Sequence, residues 1–202
     1  MKKKLLITTF ALIAAIICTF GLTACNNTDD NNSGTVSAPP TAGLEYNRYY
    51  NCSAAACSGI GTATKTEIVI ADNCKGKPVE YVSNSAFKDC TSITSISIPD
   101  SVYEIDNSAF YGCTSLTNIR LPGNLRTIGN SVFYGCTSLT SISLPGNLRT
   151  IENYAFYGCT LLTSINFAGT VEQWENLRKF PEWNENTGDY VIHCTDGDIE
   201  KL

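Results

Sequence analysis

The fold is decided by three consecutive segments: IDNSAFYGCTSLTNIRLPGNLRT (105–127), IGNSVFYGCTSLTSISLPGNLRT (128–150) and IENYAFYGCTLLTSINFAGTVEQ (151–173). A more divergent copy, VSNSAFKDCTSITSISIPDSVYE, occupies 82–104. The period is 23 residues. A fixed period of this size is the signature of a solenoid, in which each unit buries its apolar face only against its neighbours.

Aligned by column, the copies show what must be inside. The apolar columns are Val82/Ile105/Ile128/Ile151, Phe87/Phe110/Phe133/Phe156, Ile93/Leu116/Leu139/Leu162, Ile96/Ile119/Ile142/Ile165 and Ile98/Leu121/Leu144/Phe167. The phrase LTxIxLP alternates apolar and polar residues, so it predicts a short strand with one buried face. Pro99, Pro122 and Pro145 end it, because proline cannot donate to the next rung. Gly123 and Gly146, with Asp100 in the first copy, form one turn column; Gly112, Gly135 and Gly158, with Asp89, form another. Glycine tolerates positive φ, and Asp is one of the few residues that substitutes for it. The column Asn84/Asn107/Asn130/Asn153 predicts a cap on a single helical turn. Each copy thus reads as strand, turn, one short helical turn and return. Stacking at the strand spacing of ~4.8 Å joins the columns into one core.

At this period, AFYGCTSLTSIxLP resembles the BspA-like leucine-rich repeat. The resemblance is strong over 82–167. It is weaker in GIGTATKTEIVI before that span, and in VEQWENLRKF and WNENTGDYVIHCTDGDI after it. It implies a leucine-rich-repeat solenoid, curved and right-handed, with a sheet on its concave side. It also implies display on a bacterial surface and, in some members, adhesion to host matrix proteins such as fibronectin or fibrinogen. The fold transfers with such a resemblance; the ligand does not.

The chain starts MKKK, continues with an apolar run from Leu5 to Leu22, and reaches Thr23-Ala24-Cys25. A basic start, an apolar stretch and a small residue before a cut describe an export signal over 1–24. LTAC resembles the lipobox of bacterial lipoproteins, which implies a lipid anchor on Cys25. Cys18 fits less well, since Ile17 is bulky for the position before the cut. An uncleaved anchor and simple secretion stand as alternatives. Residues 25–43, polar with Pro and Gly, read as a flexible tether. Loss of the leader removes three lysines and leaves 11 basic against 19 acidic residues, a net charge of −8. That balance argues against nucleic acid and anionic membrane as partners.

Residues 44–81 read as an N-terminal cap and irregular first repeat, with LEYNRYYN in a β-hairpin and Glu67–Ile70, the loop ADNCKGKP and Val79–Val82 as the irregular repeat. Residues 82–169 hold the repeats, and 170–202 a C-terminal cap. There Thr170 and Gln173 fit a capping box. Val171, Trp174, Leu177 and Phe180 share a helical face, and Pro181 stops the helix. Tyr190–Cys194 has strand composition before the turn at Asp196-Gly197. Trp174 and Trp183 are large apolar groups suited to a cap, with ligand platforms as the other reading.

Cys90, Cys113, Cys136 and Cys159 share one column. A spacing of 23 is not a metal-ligand spacing, and no histidine accompanies it. Side chains in one column point the same way, so the ladder reads as small buried thiols. Among Cys52, Cys57, Cys74 and Cys194, an exported protein favours some bridging, with Cys52–Cys57 as the first candidate disulfide.

Catalysis finds little support. His193 is the only histidine, no nucleophile motif or phosphate loop is present, and Asp196 and Asp198 are too few for calcium. No catalytic, cofactor or metal residue is assigned. The candidates for partner binding are the outward strand residues Ser95, Ser97, Asn118, Arg120, Ser141, Ser143, Ser164 and Asn166. Arg126 and Arg149 join them in a neighbouring loop column, with Tyr103 in the first copy. Tyr111, Tyr134 and Tyr157 form another row, of a residue type that interfaces favour. The reading is a non-enzymatic, surface-exposed lipoprotein that binds protein, with host matrix proteins as one partner class. The alternative is a periplasm-facing scaffolding lipoprotein bound to another envelope component.

Overall fold

The computed structural model describes residues 39–48 and 54–201. The expected signal segment, Cys25, most of the tether and Cys52 lie outside the described residues. In chain order the elements are β1 (Glu45–Arg48), β2 (Ala55–Gly59), β3 (Glu67–Val69), β4 (Asn73–Cys74), β5 (Lys77–Val82), β6 (Ser95–Ser97), β7 (Glu104–Ile105) and β8 (Asn118–Arg120). There follow β9 (Thr127–Ile128), β10 (Ser141–Leu144), β11 (Thr150–Ile151), β12 (Ser164–Phe167), the short helix α1 (Val171–Glu175), β13 (Arg178–Lys179), β14 (Val191–His193) and β15 (Asp198–Glu200). They wind into a β-solenoid.

Each repeat contributes two strands. The LTxIxLP strands stack in parallel with residues 23 apart in register, Ile96 on Ile119 and Ile142 on Ile165. They form two sheets, β3-β6-β8 and β10-β12-β14-β15. A second strand column was not expected. It runs β1-β2-β5-β7-β9-β11-β13, with β4 on β5, and carries the column Val82, Ile105, Ile128 and Ile151. Within the repeats its strands, β7, β9, β11 and β13, are two residues long, too short to show a period in sequence.

No helical turn forms at the Asn-Ala-Phe segment. The amides there alternate in destination. Ser85, Phe87 and Asp89 donate to Asn107, Ala109 and Tyr111 of the next rung, while Ala86, Lys88 and Cys90 donate back three residues. Ser108, Phe110 and Gly112 repeat this toward Asn130, Val132 and Tyr134. The residue after each Asn adopts positive φ, at Ser85, Ser108, Ser131 and Tyr154. The Asn side chains do not cap a helix: Asn107 Oδ1 accepts the Asn130 amide of the next rung at 2.8 Å, and Asn130 Oδ1 accepts the Ser131 hydroxyl.

The turn columns divide. Gly112, Gly135 and Gly158 have φ of 69°, 68° and 73°, and Asp89 stands in their place at 57°, as its column predicts. Gly123 and Gly146 do not adopt positive φ. At Gly146 the requirement is room: a Cβ would lie 2.3 Å from the Ala168 carbonyl oxygen.

The apolar columns form one core. Phe87, Phe110, Phe133 and Phe156 are fully buried and stack with centroids 5.5, 5.6 and 5.2 Å apart. Trp183 meets Phe156 edge-on at 6.0 Å, and the buried Trp174 meets Phe167 at 5.3 Å. The cysteine column lies beside the phenylalanines. Cys113, Cys136 and Cys159 are free and buried. Their thiols donate to the carbonyls of Phe87, Phe110 and Phe133 at 3.1, 3.3 and 3.1 Å.

Several expectations need correction. Helix α1 has the predicted capping box at Thr170 and Gln173, but it ends at Glu175. Its continuation, Arg178–Lys179, is strand β13, because Arg178 and Phe180 donate to the carbonyls of Arg149 and Ile151; a longer helix would forfeit those ladder bonds. Cys57 is a free, buried thiol, so it does not pair with Cys52. Cys74 is the described cysteine in a disulfide. Within the stretch read as tether, Thr41 is buried and docks on β3: its amide donates to Val69 O, and its hydroxyl accepts from the Val69 amide.

Two measurements check this core. Phe133→Ala removes the middle of the aromatic stack where neighbouring rungs cannot collapse, and should cost about 3–5 kcal/mol in denaturant unfolding. Burial also pushes the thiols of Cys57, Cys113 and Cys159 from 9.0 up to about 12, and that of Cys136 well above its usual value. The folded state therefore keeps protons that the unfolded state releases. Their contribution to stability is complete below about pH 9 and is lost as pH rises toward 12. The urea midpoint should fall over that window, and less steeply when Cys113, Cys136 and Cys159 are replaced by Ala.

Candidate functional site

The structure separates the candidate binding residues into two places. The eight strand residues form a strip on β6, β8, β10 and β12, because period-2 alternation turns Ile96, Ile119, Ile142 and Ile165 inward and their neighbours outward. Asn118, Arg120, Ser141, Ser143 and Asn166 are exposed; Ser95, Ser97 and Ser164 are half-buried. Register places Ser95 beside Asn118, Ser97 beside Arg120, Ser141 beside Ser164 and Ser143 beside Asn166. It also adds His193, next to Asn166 on β14, and Val69 at the other end, beside Ser97. Both could have been found only by extending the register beyond the recognisable copies.

The strip is not one continuous sheet. Among the described residues, β8 and β10 share no strand pairing. The threonine column shows the same gap. Thr94, Thr117 and Thr163 donate their hydroxyls to Thr66, Thr94 and Thr140, and no such bond joins Thr140 to Thr117. At the gap, Arg120 turns away from β10. Its guanidinium donates to Ile98 O at 3.4 Å and to Asp100 Oδ2 at 3.3 Å. That ion pair is well exposed on both sides, so solvent screens it. His193 Nδ1 lies 2.9 Å from Asp198 Oδ1 in a second exposed pair.

Arg126 and Arg149 lie elsewhere. They line a groove of about 890 Å³ with Ser101, Tyr103, Asn124 and Asn147 on the repeats and Glu172, Gln173 and Asn176 on and after α1. Leu148 and Leu177, both buried, also line it. The PGNLRT turn places the arginines: Leu125 and Leu148 point into the core, and the residue after each points out. Tyr103 packs edge-on against Tyr81 with centroids 4.9 Å apart, and their hydroxyls are hydrogen-bonded.

The tyrosine row is half-buried. Tyr111, Tyr134 and Tyr157 stack nearly parallel at 4.6 and 4.8 Å. Lys88 covers the outer face of Tyr111, and Tyr154 meets Tyr157 edge-on. The rings thus offer edges and hydroxyls rather than faces. Among the described residues no group of three or more His, Cys, Asp or Glu is placed to hold a metal ion.

The family description of the BspA type leucine rich repeat region matches residues 66–178 in six copies, more than half of the chain. The chain belongs to the BspA-type leucine-rich repeat family. No curated protein matches the chain. Among solved structures, it is similar to a leucine rich cell surface protein of Faecalibacterium prausnitzii, with 25% identity and a TM-score of 0.57. The match covers 76% of this chain and spans 38% of that protein. A leucine-rich repeat protein of Bacteroides capillosus matches at 25% identity and TM-score 0.56, over 63% of this chain and 95% of that one. One from T. pallidum matches at 25% identity and TM-score 0.52, over 75% and 83%. This is a surface-type bacterial repeat family whose architecture is compatible with protein binding. No helix among the described residues is long and apolar enough to cross a membrane.

Because the Arg120–Asp100 pair is exposed, Asp100→Ala should change stability by less than about 1 kcal/mol. The unfolding midpoint in urea checks this.

Proposed function

We infer that the protein is a non-enzymatic lipoprotein displayed on the bacterial surface, whose repeats bind protein partners. The observation that carries this reading is the strip: small, hydrogen-bonding side chains held outward at fixed register by a buried isoleucine column. Such side chains lose little rotamer entropy on contact, and a rigid scaffold orders them beforehand. The F. prausnitzii protein is described as a cell surface protein, which supports the location. The leader and LTAC sequence support attachment through Cys25, and the tether supports display away from the membrane. Host matrix proteins are the first partner class to test, since the strip is small and many copies per cell would raise avidity.

Three outcomes follow. Protease added to intact cells should remove the protein; full protection would overturn surface display and leave an inward-facing scaffold. Cys25→Ser should release it from the membrane fraction. In capture assays against matrix proteins and envelope extract, Ser143→Arg should cut binding of the genuine partner at least tenfold, with unfolding unchanged. An unaffected capture would move the site off the strip.

A further inference from the structure

One loop column changes its chemistry from rung to rung. It reads Tyr103, Arg126, Arg149, Glu172, and all four residues line the same groove. The two arginines sit on consecutive rungs: the Arg149 amide donates to the Arg126 carbonyl at 2.8 Å, and the Arg126 amide to that of Tyr103 at 3.4 Å. Among the described residues neither guanidinium makes an ion pair or hydrogen bond. Arg120, by contrast, is neutralised by Asp100. Two unpaired like charges one rung apart, in a chain of net charge −5, are an arrangement that an anion would relieve.

The remaining lining narrows the anion. Asn124 and Asn147 use their side-chain NH₂ groups on the carbonyls of Asp100 and Gly123 of the preceding rung, which leaves their amide oxygens as acceptors. Gln173 spends its oxygen on the Thr170 amide and keeps its NH₂ as a donor. Acceptors and a donor beside two cations suit a peptide main chain carrying carboxylates. The one aromatic ring in the groove, Tyr103, is already engaged by Tyr81, which disfavours a sugar platform. Glu172 at the end of the column repels a uniform polyanion such as nucleic acid or sulfated glycan.

We propose that this groove binds an acidic segment of a partner protein, with two carboxylates on Arg126 and Arg149 and a basic residue beyond them facing Glu172. The proposal rests on the reading of the chain as a protein binder, but not on the strand strip.

The test uses a fluorescent peptide Gly-Glu-Glu-Lys-Gly, the all-glutamine peptide Gly-Gln-Gln-Gln-Gly, and Gly-Glu-Glu-Gln-Gly, titrated by anisotropy into the purified protein at low salt. A heparin fragment serves as the sugar probe. Gly-Glu-Glu-Lys-Gly should bind saturably, weaken as salt rises, and lose about tenfold in affinity in Arg126→Gln and again in Arg149→Gln. Ser143→Arg, on the strip, should leave it unchanged. Glu172→Gln should abolish the preference for Gly-Glu-Glu-Lys-Gly over Gly-Glu-Glu-Gln-Gly. Equal binding by wild type and the Arg126→Gln/Arg149→Gln protein, or no saturable peptide binding, overturns the proposal, as does tight heparin binding without peptide binding. In each of those cases, capture of a partner that Ser143→Arg still abolishes would leave the general binding role standing.

Discussion

The structure depends on hydrogen bonds that leave one rung and land on the next. On the strand sides this is ordinary parallel pairing. On the third side it is achieved without regular structure, by amides that alternate between the next rung and their own turn. Every odd-numbered amide from Ser85 to Asp89 is thereby satisfied outside its own copy. A buried backbone N–H left unpaired is costly, so the repeat length is held to 23 wherever the ladder runs. A one-residue insertion would turn the alternating strand inside out. It would also break the phenylalanine stack, whose centroid spacings of 5.2–5.6 Å follow from the rung spacing.

That constraint explains what was legible in the sequence. Columns are visible because each inward position meets a copy of itself, so Phe stacks on Phe and thiol follows thiol. Asp89 was readable as a stand-in for glycine because its column demands positive φ. Other features depend on partners that no single copy reveals. Strands such as Thr127–Ile128 are two residues long and exist only because Thr150–Ile151 and Glu104–Ile105 flank them. The stretch after Glu175 has helical spacing, yet the open carbonyls of Arg149 and Ile151 recruit it as strand. Tertiary demand overrides local propensity there, as it commonly does. The split of the strip between β8 and β10 has no sequence signal that we can identify.

The candidate sites were legible in the same uneven way. Outward positions on the strands followed from alternation alone. The groove did not, because part of its lining, Glu172, Gln173, Asn176 and Leu177, lies where the repeat phrase has broken down. Only the register of Arg149 against the C-terminal segment brings them opposite the arginines.

Repetition also shapes the surface electrostatics. A solenoid copies every exposed residue at ~4.8 Å intervals, so a duplicated charge is placed next to itself, where like charges repel. Neutral columns tolerate this: the threonines bond hydroxyl to carbonyl down the ladder, and the tyrosines stack. A charged column needs a partner on an adjoining position, as Arg120 has in Asp100. Arg126 and Arg149 are doubled and have none among the described residues, while the flanking members of their column are Tyr103 and Glu172. An arrangement that costs stability when empty and is bounded at both ends by a change of residue type is more economically explained by an external anion than by copying. The strip of serines and asparagines carries no such internal tension, so its chemistry speaks for contact in general and the groove speaks for a ligand of particular charge.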